Sequence, residues 1–188
     1  MKLFSLYTFS ALLILIALLS CQKDVSVSSP NPLEYITSLT YTLTPAEGGD
    51  PVVWSFSDPD GEGGANPVIH IDFLTPYTIY DAVIELYNES VVPTEVISIE
   101  VEKESNDHQF FYTFSEVLGS YQYIDYDENG YPVGLRTRVI ALGPSEGLLN
   151  IKLIHKPEKA VPGVSDGLSL DAKGEIDFDI TFLMRIKN

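Results

Sequence analysis

Beyond residue 32, apolar and polar side chains alternate with a period of two over most of the chain. Leu33, Tyr35, Leu39, Tyr41 and Leu43 fall on one face, against Glu34, Ser38, Thr40 and Thr42 on the other. The same spacing returns in Val52, Trp54 and Phe56, in Ile69, Ile71 and Phe73, and in Tyr80, Ala82, Ile84 and Leu86. Successive side chains of an extended backbone point to opposite faces, so each run reads as a half-buried strand, and Gly, Pro, Asn or Asp bounds each one. Further strands are predicted over 108–114, 120–126, 134–142 and 148–155. The clearest is the last, where Ile176, Phe178, Ile180, Phe182, Met184 and Ile186 face one way and Asp177, Asp179, Thr181 and Arg185 the other.

The segment 95–104 fits two templates. Ile97, Ile99 and Val101 alternate as a strand would, yet Ile97 and Val101 also stand one helical turn apart; β-branching tips the expectation towards strand. About nine strands and no long amphipathic helix predict an all-β domain over 33–188, an antiparallel two-sheet β-sandwich of immunoglobulin-like type, with a closed barrel as the alternative.

The N-terminus follows a different rule. Met1 and Lys2 precede an apolar stretch from Leu12 to Leu19, then Ser20 and Cys21. One positive charge, a short apolar run and a small residue before a break form a secretion signal, here 1–20, and the run is too short to span a bilayer comfortably. Leu18-Leu19-Ser20-Cys21 resembles the lipobox of bacterial lipoproteins, which implies that Cys21 is acylated and becomes the mature N-terminus. Cys21 is the one cysteine of the chain, so no disulfide can form within it and stability must come from packing. Residues 21–32 then read as a lipidated tether, Ser- and Pro-rich from Val25 onward.

Charge narrows the partners. The chain carries −16, and removing 1–20 takes away Lys2 and no acid. A surface this acidic, with no Lys/Arg stripe, repels nucleic acid. Catalytic signatures are absent: there is no Gly-x-Ser-x-Gly elbow, no phosphate-cradling glycine loop and no His-Glu-x-x-His. The expectation is a binding module and not an enzyme.

Three constellations carry candidate chemistry. His108 and His155 stand at strand ends, and with Asp107 or Glu158 they would make a transition-metal site, imidazole being the commonest side-chain ligand; His70 shares the polar face of Asp72 and reads as exposed. Asp125, Asp127 and Asn129 occupy positions one, three and five of a turn closed by Gly130, the opening of a calcium loop, although Arg136 stands where an EF-hand needs its glutamate. Asp58, Asp60 and Glu62 form a second acidic, glycine-rich turn able to lend oxygens to calcium. Lastly, Tyr121, Tyr123, Tyr126 and Tyr131 crowd around the first turn, and exposed rings there would suit glycan stacking.

Phe56-Ser57-Asp58-Pro59-Asp60-Gly61, Leu86-Tyr87-Asn88-Glu89-Ser90, Asp107-His108-Gln109-Phe110-Phe111-Tyr112, the run from Asp127 to Leu135, and His155-Lys156-Pro157-Glu158-Lys159 together resemble a family of small Bacteroidetes lipoproteins. These are often encoded beside TonB-dependent outer-membrane receptors and sometimes labelled periplasmic-binding-fold proteins. The resemblance implies a lipid-anchored accessory of an uptake receptor, with His108 and His155 inside the matching motifs. Gln22, Lys23 and Asp24 resemble the signal that sends such lipoproteins to the cell surface. The periplasmic-binding label conflicts with the residues, because that fold alternates strands with helices and this chain does not.

Overall fold

The computed structural model describes residues 34–61 and 64–187. The expected signal, Cys21, the tether and Glu62 lie outside the described residues. Contacts divide the chain into Met1–Pro32 and Leu33–Asn188, and everything described below belongs to the second unit.

Among the described residues, ten strands form two antiparallel sheets. They are β1 (Ser38–Pro45), β2 (Val52–Ser57), β3 (Val68–His70), β4 (Ile79–Asn88), β5 (Glu95–Val96), β6 (His108–Phe114), β7 (Gly119–Tyr123), β8 (Arg136–Ala141), β9 (Ser145–His155) and β10 (Glu175–Ile186). The larger sheet runs β3-β2-β1-β4-β8-β7 with β5 added to β4, and the smaller runs β10-β9-β6. The protein is thus an all-β sandwich.

Period-two burial explains why the sheets face each other. Every second residue of β4, from Tyr80 to Asn88, is buried, as is every second residue of β10 from Phe178 to Ile186. Rings interlock across the gap: Tyr41 of β1 stacks on Tyr112 of β6 at 6.1 Å, Trp54 of β2 meets Phe182 of β10 at 5.8 Å, and Phe56 meets Phe178 at 5.4 Å. Such pairs add to the stabilisation from area burial alone. Polar tips inside the core are bonded, since the Tyr112 hydroxyl donates to the Gly134 carbonyl at 2.6 Å and Tyr41 pairs with Thr137 at 3.2 Å.

Two expectations need correcting. Segment 95–104 is a strand only at Glu95–Val96, which brings the count to ten; it then becomes the helix α1 (Ile97–Lys103). Ile97 and Val101 are buried while Ile99 is 49% exposed. The helical spacing therefore wins, because it buries two apolar residues against the core and leaves Glu100 and Glu102 in solvent. The second correction concerns β10. Its register against β9 slips between Ile176 and Phe178, a β-bulge with Asp177 as the extra residue. Ile176 is consequently 53% exposed, and the Asp177 side chain turns inward with no exposure at all.

The segment between β9 and β10 covers the outer face of the small sheet. Val164 and Ala172 bury Phe111 and Ile154, and the Gln109 amide donates to the Val164 carbonyl at 2.9 Å. β6 is therefore buried on both faces over His108–Tyr112. Among the described residues no helix is long and apolar enough to cross a membrane.

Candidate metal centre

His108 opens β6 and His155 closes β9, and the antiparallel register sets them directly opposite each other. Both share the parity of core residues, His108 with Phe110 and Tyr112, His155 with Leu153 and Ile151, so both rings turn into the gap between the sheets. They stack at 4.7 Å with planes 10° apart. His108 is fully buried and His155 is 3% exposed.

The carboxylate beside them is Asp177, delivered by the β10 bulge, with Oδ2 at 3.6 Å from His108 Nε2. Neither Asp107 nor Glu158 takes that place. Asp107 is exposed, ahead of β6, where its carbonyl accepts the Lys156 N–H. Glu158 lies out on the covering segment, ion-paired to Lys173 at 2.8 Å. The structure thus brings the two imidazoles together and sets Asp177, not Asp107 or Glu158, beside them. An acidic residue at the start of the strand paired to His155 was the available signal, but strict alternation assigned it to solvent.

Hydrogen bonding orients the His108 ring. His108 Nδ1 lies 3.1 Å from the carbonyl of Glu104, just past the end of α1. A carbonyl can only accept, so Nδ1 carries a proton, and Nε2 faces Asp177. His108 Nε2, His155 Nε2 and Asp177 Oδ2 are all buried without a hydrogen-bond partner. One ligand atom each from these three residues lies within 4.8 Å of the other two. Burial pushes the His108 pKa down, against the opposing pull of Asp177, and pushes that of Asp177 up. Burial thus disfavours charge on both His108 and Asp177.

The donor set suits a borderline divalent ion. Zinc bonds to imidazole and carboxylate run about 2.0–2.2 Å, so the donors would draw in by roughly an ångström to share one. The His108 Nδ1–H bond to a backbone carbonyl is the outer-shell contact that metal-bound imidazoles commonly make.

Asp177 rides on a strand entry that only glycine allows. Gly174 has φ +76°, and a Cβ there would strike the carbonyl oxygen of His155. Gly174→Ala is expected to destabilise the domain by about 1–3 kcal/mol, read by urea unfolding.

The two acidic turns are built differently. Asp125 accepts the Gly134 and Arg136 N–H groups at 2.9 and 3.1 Å. Asp127 Oδ1 accepts those of Asn129 and Tyr131. Its Oδ2 meets the buried Lys159 ammonium at 3.0 Å, and Lys159 also donates to the Ser105 and Pro132 carbonyls. A protein ammonium thus stands where calcium was expected, and the Asn129 amide nitrogen donates to Asn106. In the other turn Asp60 accepts the Ala65 N–H, and an Asp58 oxygen is buried without a partner. Tyr123 donates into the sheet at the Phe110 carbonyl, 2.7 Å away, whereas Tyr126 is 59% exposed. His70 is exposed beside Asp72. No protein-family model matches the chain, and neither a curated protein nor a solved structure is significantly similar to it.

Proposed function

We propose that this chain is a non-enzymatic, lipid-anchored module of the outer membrane, displayed at the cell surface through Cys21, which holds a divalent transition-metal ion or its complex for a TonB-dependent receptor. One observation supports the binding chemistry: three buried electron-pair donors without partners, on three adjacent strands, converge on one point. Each buried polar atom left unpaired costs about 1–3 kcal/mol, and a cation would satisfy all three together. The anchor and the receptor follow from the lipobox-like ending of the first 21 residues and from the family resemblance.

Metal content tests the binding. The chain purified without added metal is expected to carry close to one equivalent of a first-row transition metal by elemental analysis. Asp177→Asn keeps the shape of the side chain and removes its charge, so it should lower affinity about 10–100-fold. A wild-type chain that neither carries nor takes up such a metal ends this reading. Radiolabelled fatty acid incorporated into the wild type, and not into Cys21→Ser, tests the anchor separately.

A further inference from the structure

A tetrahedral ion held by His108, His155 and Asp177 is one ligand short, and the triad is sealed, its three side chains having almost no exposure. The residue bonded to it from ahead of β1 is Glu34. Its backbone N–H donates to Asp177 Oδ1 at 3.3 Å, so it is already tied to a donor of the centre. A carboxylate oxygen of Glu34, one of Glu104 and a ring nitrogen of His108 also lie within 4.8 Å of one another.

Of these two acids, Glu104 is held by the helix. Its amide bonds to the Glu100 carbonyl, and its own carbonyl accepts from Asp107 as well as facing His108. Glu34 sits on a strap with no ladder, since β1 begins at Ser38, and the strap is fastened at its far end where Thr37 N–H donates to the Tyr87 carbonyl at 2.9 Å. It is half-buried.

We infer that Glu34 is the fourth ligand, carried on the strap 34–37, which lifts to admit the ion and closes over it to give a four-coordinate site of two nitrogens and two oxygens, suited to Zn(II). This rests on the metal reading above. Occupancy then sets the order of the strap.

The test uses Zn(II) and, as a visible probe, Co(II), on the whole chain. Wild type should give the intense visible bands of four-coordinate Co(II), and Zn(II) should slow amide exchange over 34–37. Glu34→Gln should bind Zn(II) about 10–100-fold more weakly at unchanged 1:1 stoichiometry. It should also show the weak bands of a more hydrated Co(II) and lose the exchange protection, with Glu34→Asp restoring part of each. Equal affinity, spectra and exchange in wild type and Glu34→Gln overturn the fourth ligand while leaving the three-residue site standing. Zn(II) binding that survives His108→Ala with His155→Ala, or no binding by the wild type, overturns both.

Discussion

Zn(II) at a hundredfold excess over its dissociation constant is expected to stabilise the domain by about 2.7 kcal/mol, and replacing both histidines is expected to abolish that gain. For a chain of this size the gain corresponds to a rise in melting temperature of about 5–10 °C. His108→Ala with His155→Ala removes two of the three orphaned nitrogen and oxygen donors and opens space inside the sandwich, so the variant melts from a different baseline. The readout is accordingly the difference with and without Zn(II) within each protein, from which the cavity cost cancels. Burial holds the His108 pKa below that of a free imidazole, so its ring is neutral and ready to bind at pH 7. An equal Zn(II)-induced shift in the double variant would remove the histidines from the site.

The second large effect lies at the turn that imitates a calcium loop. Lys159→Met is expected to cost about 3–5 kcal/mol by urea unfolding, because it leaves the Asp127 carboxylate buried without its counter-charge. The pair is nearly inaccessible, with side chains 4% and 1% exposed and 3.0 Å between Nζ and Oδ2. Combining Lys159→Met with Asp127→Asn should recover much of the loss. The asparagine carbonyl can still accept the Asn129 and Tyr131 N–H groups while no stranded charge remains. A double variant as unstable as the sum of its parts would show that the ion pair is not what holds the turn.

Period-two patterning made the sandwich legible, since burial on one flank of each strand is written locally: Leu39, Tyr41 and Leu43 announce β1 by spacing alone. Pairing is not written locally. Nothing near residue 108 or 155 says that β6 and β9 are neighbours in register, so two histidines 47 positions apart can be joined from sequence only by their places at strand ends, and their stacking not at all. Asp177 was hidden for another reason, because one extra residue in β10 inverts the parity on which the argument rests. The acidic turn was correctly placed at 125–130, but its cation, Lys159, arrives from a distant segment. In α1, β-branching at Ile97, Ile99 and Val101 favoured extended chain, and the gain from packing Ile97 and Val101 on the core outweighed that small preference.

The bulge in β10 also bears on how such a centre arises and vanishes. From Phe178 to Ile186 the strand keeps an unbroken register with β9, so the irregularity is confined to its first turn of pleat. Deleting one residue there would restore strict alternation and turn the Asp177 carboxylate away from the gap between the sheets, with the remainder of the ladder undisturbed. One residue gained or lost at this point therefore decides whether a carboxylate stands beside the two buried imidazoles.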